Sequence, residues 1–275
     1  MKQYFRHNGA NIGSQKGKSS CWYVFDSGGK QLIQTTRRLR LGHSPNSVGH
    51  YKPCSSRQIL RSIIAPKQWN RLDVQIAWWF FIGSILFIVG SVNSIEHRPF
   101  TSSEFLAGSL SFTIAGALQI IQAWSNLSNI FTSFAILFSA SIISSISAKV
   151  GSLLYNLESI FNWTDPNAKG MALILLCQSP YTIGSCLFFI SGLASYAEIA
   201  HGRLFFIELQ HIGWWVVILS ITGSFLYILS SLFLIANSNL AVWLCLFASI
   251  IFAFMSILLF AECDQRPASR SLLNS

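Results

Sequence analysis

The side chains best placed to carry chemistry surround a proline in the fourth long apolar segment of this sequence. The run Gln178-Ser179-Pro180-Tyr181-Thr182 puts four hydrogen-bonding side chains beside a residue that has no backbone N–H. Interrupted helices with freed backbone groups form the midplane binding sites of many transporters. Two interpretations stay open. One is a kink whose free carbonyl is satisfied by a neighbouring serine; the other is a ligand or ion site formed by Gln178, Tyr181 and Thr182.

Carboxylates form a second candidate set, because three of them close apolar segments at a fixed interval. Each lies six residues after a small residue, and the three are Glu96, Glu198 and Glu262. A carboxylate at the C-terminus of a helix is opposed by the helix dipole, so this position needs an explanation. Interfacial hydration or a nearby Arg98 or Arg203 is one explanation, and a shared binding role is the other.

Familiar catalytic and metal-binding patterns are absent from the sequence. It has no H-E-x-x-H, G-x-S-x-G or phosphate-loop pattern, and its six cysteines form no C-x-x-C pair. No Asp, Glu, Lys or Arg falls in the middle of any predicted membrane span, which argues against a charged proton relay. We therefore predict that the protein is not an enzyme and has no cofactor, no metal site and no disulfide framework.

A small–Ser–x–x–aromatic pattern, called the signature below, recurs in five of the apolar segments. Each copy begins with a small residue and has a second small residue seven or eight positions later, so both lie on one helix face. Helix backbones approach closely at such faces in membranes. The helix-packing glycines that this predicts are Gly83, Gly90, Gly108, Gly116, Gly184, Gly192 and Gly223, and Ala248 opens the fifth copy.

Generic helix packing explains any single copy of the signature, whereas five copies indicate an internal repeat. The match between residues 82–87 and 183–188 favours an inverted duplication of helices one to three onto helices four to six. A match of Ile76-Ala77-Trp78-Trp79 with Ile212-Gly213-Trp214-Trp215 favours duplication of a helical hairpin instead.

The elements that hold these residues are defined by uncharged intervals. With 52% hydrophobic and 11% charged residues, the chain is too apolar for an ordinary soluble domain. About 20 apolar residues cross a bilayer, and the intervals 74–95, 105–148, 170–197 and 209–261 hold 22, 44, 28 and 53 uncharged residues. They predict an all-α, polytopic transmembrane helical bundle over residues 74–262. Its six spans are predicted at about 74–95, 105–124, 128–148, 171–197, 212–236 and 240–261, the third without a signature.

The polar N-terminal segment predicts the orientation of the bundle. Of the 19 Lys and Arg residues, 13 precede the first span, and the positive-inside rule then places both termini in the cytosol. Residues 1–56 are predicted to be a disordered basic tail, 57–69 an interfacial amphipathic segment, and 263–275 a short C-terminal tail. The tail is expected to lie near lipid rather than to bind nucleic acid. Its Arg- and Ser-rich, acid-poor composition is also typical of an organelle transit segment.

This topology places the loop 149–169 on the outside. That loop contains the sequon at Asn162, which is then available for glycosylation. A second sequon, at Asn126, falls in a short inward turn and is expected to stay unused.

Two stretches of the sequence carry a family resemblance: one runs from His211 to Tyr227 and opens with Gly-Trp-Trp, and the other runs from Phe247 to Glu262. Both are similar to the YrhK-like family of multi-span membrane proteins. The resemblance covers about residues 70–262 and brings no established activity or catalytic residues.

Two functions fit the sequence. The first is a non-enzymatic protein of the lipid bilayer that assembles as a homo-oligomer or with another membrane protein. The second is a small transporter or channel with its site near Pro180. A water-accessible cavity lined by Gln178, Tyr181 and Thr182 would favour the transporter, and a closed apolar bundle would favour the assembly protein.

Overall fold

The computed structural model describes residues 71–96, 101–127, 140–165, 169–200 and 212–264, with Ile207 and Leu209, together with five short strands near the N-terminus. The strands are β1 (Gln3–His7), β2 (Ala10–Lys16), β3 (Cys21–Phe25), β4 (Gln31–Thr35) and β5 (Asn46–Ser47). They pair in sequence order as an antiparallel sheet. The predicted disordered tail therefore contains strands. The sequence does not reveal β1 and β4, because each has two adjacent apolar residues between polar ones and so shows no alternation. The predicted interfacial segment 57–69 lies outside the described residues.

Six long helices form the rest of the described chain. Their bounds are α1 (Leu72–Ile95), α2 (Thr101–Leu127), α3 (Ala140–Thr164), α4 (Met171–Ala200), α5 (Ile212–Phe233) and α6 (Ser238–Asp264). Five of them, all except α3, are long and apolar enough to cross a membrane. The all-α membrane bundle is thus confirmed, and five of the predicted spans coincide with helices to within a few residues.

The third span differs from the prediction, because α3 runs over Ala140–Thr164 and not over 128–148. Residues 149–164 are therefore helical rather than part of an external loop. A count of uncharged residues ends this span at Lys149. It thereby misses a sixth copy of the signature, Gly151-Ser152-x-x-Tyr155, which begins two residues later.

Helix α3 is polar on its inner face and apolar on its outer face. Its 40–49% exposed apolar side chains, spaced alternately three and four residues apart, are Ile143, Ile146, Val150, Leu153, Leu157 and Ile160. Its buried polar residues are Ser141, Ser144, Ser145, Ser152, Asn156 and Ser159. A surface helix of a protein in water has the opposite arrangement. The mean hydropathy of α3 understates its fit to lipid, because the serines that lower this mean face inward.

The six helices form a closed ring in which each packs against its neighbours in sequence and α6 packs against α1. Consecutive helices run antiparallel, since Gly83 faces Phe112 while Phe87 faces Gly108. An inverted duplication requires a two-fold axis in the membrane plane that carries α1, α2 and α3 onto α4, α5 and α6. Such an axis exchanges the two faces of the ring, so it turns a clockwise order of helices into a counter-clockwise one. All six helices of this ring follow one another in the same sense. Helices α1 to α3 therefore cannot be superposed in order on α4 to α6, and the prediction of an inverted duplication is wrong.

Six aromatic rings, one from each helix, fill the axis of this ring in two layers. Every one of them is the aromatic residue of a signature. The odd-numbered helices supply Phe87, Tyr155 and Tyr227, whose ring centroids are 6.0–6.2 Å apart. The even-numbered helices supply Phe112, Phe188 and Phe252, whose centroids are 6.1–6.3 Å apart. The helices form three hairpins in chain order, α1–α2, α3–α4 and α5–α6. Within each hairpin the two rings lie 5.3–5.6 Å apart, so the two layers are in contact.

The signature serines satisfy the polar groups of this core. Ser185 Oγ donates to the backbone carbonyl of Tyr181 at 2.8 Å and shares a 2.9 Å hydrogen bond with the Tyr155 hydroxyl. The same bond recurs in the third hairpin, where the Tyr227 hydroxyl lies 2.8 Å from Ser249 Oγ. Both tyrosine hydroxyls are therefore paired inside the bundle, as burial in an apolar surrounding requires.

The glycines that open the signatures make room for the aromatic rings. A Cβ atom would lie 2.8 Å from Phe112 Cδ1 if it were added at Gly83, and 2.5 Å from Phe87 Cδ2 if it were added at Gly108. In the second hairpin, a Cβ at Gly184 would lie 2.9 Å from the Tyr155 ring. Distances below 3.0 Å are essentially never seen for real Cβ atoms. Each ring thus occupies the space that a side chain at the opposite glycine would need.

The remaining predicted packing glycines lie at helix contacts too. Gly223 faces the Phe252 ring at 2.7 Å, and Gly90 faces Phe105 at 3.3 Å. Gly116 and Gly192 face the next hairpin along the chain, because a Cβ at Gly116 would lie 3.1 Å from the Cα of Lys149 and one at Gly192 would lie 2.8 Å from Ile221. The glycines therefore bring helices together both within and between hairpins.

We predict that Gly83→Leu and Gly184→Leu each lower the free energy of unfolding by about 1–3 kcal/mol, because an added side chain overpacks a close helix contact. The measurement is the thermal unfolding midpoint in detergent. Ile85→Leu is the matched control, since Ile85 is 40% exposed on the outer face of the same helix. Unchanged midpoints for both glycine variants would mean that these faces are not packed as described.

Candidate functional site

The side chains around Pro180 bond to the protein itself. Gln178 Nε2 donates to the backbone carbonyl of Ser231 at 3.3 Å, and the Tyr181 hydroxyl donates to Ser230 Oγ at 3.0 Å. Thr182 Oγ1 donates to the carbonyl of Gln178 at 2.8 Å. All three predicted ligand side chains are thus engaged in contacts within and between helices, and none of them is among the residues that line the cavity described below.

The helix break at this point is a π-helical turn over Ile174–Gln178, which ends two residues before Pro180. Ser179 Oγ donates to the carbonyl of Ile174 at 2.8 Å. The same carbonyl also accepts the backbone N–H of Ser179, so the serine hydroxyl reinforces the π-helical turn that precedes the proline. This geometry favours the interpretation of Pro180 as a kink.

Helix α3 brings two ionisable residues into contact with its neighbours. The five helices that are long and apolar enough to cross a membrane carry no charged residue in their middle. Lys149 Nζ donates to the backbone carbonyl of Thr113 at 3.0 Å. Glu158 accepts a hydrogen bond from Ser159 Oγ at 3.2 Å and another from the amide of Asn162. Sequence reasoning missed both residues because it placed them in a loop. The signature at Gly151 was the signal that could have located them.

Asn162, the predicted glycosylation site, lies in the last turn of α3. Its Nδ2 donates to Glu158, and its Oδ1 accepts from Cys177 Sγ at 3.2 Å. The amide nitrogen that would carry the glycan is therefore engaged, and the backbone is helical where a sequon is ordinarily used in a loop. The other sequon residue, Asn126, lies in the last turn of α2.

The three helix-end acids occupy opposite ends of the bundle. Glu96 caps the C-terminus of α1 and is exposed, whereas Glu198 and Glu262 are buried near the ends of α4 and α6. Since even-numbered helices run antiparallel to α1, these two acids lie at the end where Asp73 begins α1. We call this the Asp73 end. The three acids therefore do not share one binding site.

The Asp73 end has a regular arrangement of buried polar residues. Gln122, Glu198 and Glu262 each lie fourteen residues after the small residue of a signature, and they are only 6%, 0% and 5% exposed. Asp73 is 5% exposed and pairs with the guanidinium of Arg71. Polar groups are rare at such depth unless they have partners or a function.

A cavity of about 80 Å³ lies on the bundle axis beside these residues and is lined by all six helices. We call it the axial cavity. Its polar lining residues are Asp73, Gln119, Gln122, Ser144, Ser191, Ser195 and Ser220. The rings of Phe188 and Phe252 also line it, which places it against the aromatic layer of the even-numbered helices.

The axial cavity exists because small residues replace aromatic ones on two helices. Three residues before each signature, the odd-numbered helices carry Phe80, Ala148 and Ser220, and all three line the cavity. The even-numbered helices carry Phe105, Tyr181 and Cys245 at the same position. Two of those are bulky rings packed on the other aromatic layer, at 5.4 Å from Phe87 and 5.5 Å from Tyr155. Space is therefore left on the side of the core where Phe80, Ala148 and Ser220 lie.

The hydrogen bonds in the axial cavity leave acceptor capacity unused. Ser144 Oγ lies 3.0 Å from Ser191 Oγ and 2.9 Å from Ser195 Oγ. Gln119 Oε1 is buried and has no hydrogen-bond partner. A buried acceptor without a donor costs about 1–3 kcal/mol, so a bound group that donates to it or coordinates it would be stabilised here.

The described residues offer no conventional metal centre or disulfide. No group of three or more His, Cys, Asp or Glu side chains comes together within the described ranges. Cys177, Cys186 and Cys245 are free thiols.

In a eukaryotic secretory membrane, we expect Asn162 to remain unglycosylated, because its amide is bonded within a helix. The measurement is the electrophoretic shift on glycosidase digestion, compared with Asn162→Gln and with a glycoprotein digested in parallel. A glycan that is present in the parent and lost in Asn162→Gln would place this residue in an accessible loop and contradict the position of α3.

Neither family models nor curated proteins nor solved structures yield a match to this chain. The resemblance to the YrhK-like family therefore rests on the sequence motifs alone and stays a prediction.

Proposed function

We propose that this multi-pass membrane protein is a non-enzymatic assembly or partner-binding protein that works as a closed bundle. The observation that carries the proposal is the filled axis. Each aromatic layer consists of three rings whose centroids lie at most 6.3 Å apart, and the layers are stacked on each other. Rings at these separations are in contact, so they fill the space through which an ion or solute would have to pass.

The outer surface of the bundle supports a role in assembly. Every described helix exposes large apolar side chains, for example Ile85, Leu110, Leu153, Ile183, Phe225 and Phe247 at 40–54% exposure. The small-residue faces are already used inside the ring. Association with a second copy or with another membrane protein would therefore use this outer surface, where helices pack through van der Waals contact in place of lipid.

The placement in the membrane belongs to the same proposal. The outward-facing apolar row of α3 supports a sixth span, and an even number of spans puts both termini on one side. With 13 basic residues before α1, we propose that this side is the cytosol.

The repeat is proposed to be a helical hairpin present three times, α1–α2, α3–α4 and α5–α6. The signature recurs at matching positions in all six helices. The reciprocal contact of glycine and aromatic ring is found in the first two hairpins, and in the third Gly223 faces Phe252.

A small transporter or channel is the second candidate function, and the axial cavity is the observation that favours it. The cavity reaches the aromatic layers from the Asp73 end, so a transported solute would enter there rather than near Pro180. Transport would then require the six rings to separate, since they close the axis between the two ends.

We predict that the protein reconstituted in liposomes conducts no Na⁺, K⁺ or protons above the level of protein-free vesicles, because the rings fill the axis. Cross-linking in native membranes should give adducts larger than the monomer. A pore-forming peptide serves as the positive control for flux. Saturable flux would favour the transporter, and a protein that remains monomeric in membranes and in native mass spectrometry would overturn the assembly proposal.

A further inference from the structure

Lys149 is a basic residue on the outer side of the bundle, between α2 and α3. It is partly exposed and lies beside the outward-facing Ile146 and Val150. At 1.5 Å per residue it is about 14 Å from the start of α3 and about 22 Å from its end. With α3 as the proposed sixth span, the amine is at the depth of the hydrocarbon, where ionisable residues are rare and have partners or a function.

The side chain of Lys149 does not extend toward the nearer membrane surface, which is at the Asp73 end. Lysines in membrane helices ordinarily place the amine at the interface and leave the methylene groups in the apolar layer. Gly116 of α2 faces the backbone of Lys149, since an added Cβ would lie 3.1 Å from the lysine Cα. The amine bonds to Thr113, a residue that precedes Gly116 in the antiparallel α2 and so lies farther from the Asp73 end. The charge is thus held within the groove between the two helices, which we call the α2–α3 groove.

The polar cluster around Thr113 has hydrogen-bonding capacity left over. Lys149 Nζ donates to the Thr113 carbonyl at 3.0 Å, and Asn156 Nδ2 donates to Thr113 Oγ1 at 2.9 Å, so the amine and the amide meet at one residue. An ammonium group has three N–H donors, and this carbonyl accepts from one of them. Asn156 Oδ1 is buried and has no hydrogen-bond partner in the described part of the chain. The cluster is therefore incomplete without a further group.

A carboxylate is the group that would complete this cluster. It would accept from the remaining N–H groups of Lys149, and two opposite charges attract more strongly in a low-dielectric layer than in water. The amide of Asn156 could add a further donor. Because Thr113 Oγ1 can donate as well as accept, this amide can turn over without losing its bond, and its NH₂ group then takes the place of the unpartnered oxygen.

The described part of the protein places no carboxylate beside this amine. Glu158 is on the same helix, but it lies about 14 Å farther along the axis and bonds to Ser159 and Asn162. The other described acids lie in the first or last turn of a helix or just beyond one. A second copy with the same orientation presents each acid at the same depth as the first. The carboxylate would therefore come from a different membrane protein.

We propose that the α2–α3 groove docks a transmembrane helix of another protein that carries an Asp or Glu at the depth of Lys149. The inference rests on the proposed assembly role and names the chemistry of the partner. The partner's carboxylate accepts from the Lys149 amine. Its apolar residues pack on the exposed side chains beside the groove, Ile114 on α2 and Ile146 and Val150 on α3.

The test uses a synthetic transmembrane peptide of leucines with one central Asp, and a control peptide with Asn at that position. Binding to the full chain in liposomes is followed by energy transfer between a dye at the C-terminus of the protein and a dye on the peptide. We expect the Asp peptide to bind saturably and about tenfold or more tightly than the Asn peptide, because hydrogen bonds between two charged groups are stronger. Equal binding of the two peptides would overturn the proposal.

Variants of α3 locate the contact. Lys149→Met removes the amine at similar side-chain length and should abolish the preference for the Asp peptide, whereas Lys149→Arg keeps the charge and should retain it. Glu158→Gln is the control on the same helix and should keep the parental preference. If Lys149→Met does not fold, Val150→Trp replaces it, since a bulky side chain beside the groove should weaken binding of both peptides.

Two further results would contradict the proposal. One is a preference for the Asp peptide that survives Lys149→Met or, where that variant does not fold, tight binding that survives Val150→Trp. The other comes from a photo-cross-linker placed at Val150 in native membranes. Adducts of twice the monomer mass alone would assign the groove to a second copy, and adducts of lipid mass alone would assign it to lipid. Failure of the peptide test leaves the assembly role standing, because that role is tested by flux and by cross-linking over the whole surface.

Discussion

The bundle depends on one repeated contact, in which an aromatic ring of one helix occupies the space above a glycine of its antiparallel neighbour. Where both partners are glycines, the contact is reciprocal, as with Gly83 and Phe112 against Gly108 and Phe87. The glycines allow two backbones to approach closely, and the rings fill the axis that six helices would otherwise enclose. Because lipid offers no hydrophobic drive for helices to associate, such close packing supplies the stability. Closure of the axis follows from the same contact.

The distribution of polarity in α3 shows how a membrane environment changes the meaning of composition. Its serines lie inside, where they bond to one another or to their own backbone, as Ser145 Oγ does with the carbonyl of Ser141 at 2.8 Å. Its outer face is a continuous apolar row. Lys149 and Glu158 are tolerated because each finds partners within the bundle. The mean hydropathy of this helix therefore conceals a polar inner face and an apolar outer face.

Much of the architecture could be predicted from the sequence, because long uncharged intervals and the signature are local patterns. The position of α3 could not, since a charge count treats Lys149 as the end of a span although its amine bonds to a backbone carbonyl of α2. The predicted site at Pro180 had the right residue types, yet their use in helix contacts depends on Ser230 and Ser231 of α5, far away in sequence. The axial cavity could not be predicted, because it is the space left beside the small side chains of Ala148 and Ser220. A volume shared by six helices has no signature in any one of them.

The closed ring is the central claim, and the contact between α1 and α6 tests it most directly. Ser91 Oγ donates to Cys245 Sγ at 3.4 Å across this contact, so Ser91→Cys would put two sulfurs within reach of a disulfide. On oxidation in the membrane with a lipid-soluble oxidant, Ser91→Cys should form an intramolecular disulfide with the native Cys245, identified by mass spectrometry of the linked peptides. Ile85→Cys, which faces outward on the same helix, should not form this bond. Absence of the 91–245 link in Ser91→Cys, or an equally abundant 85–245 link in Ile85→Cys, would contradict a ring closed between the first and last helices.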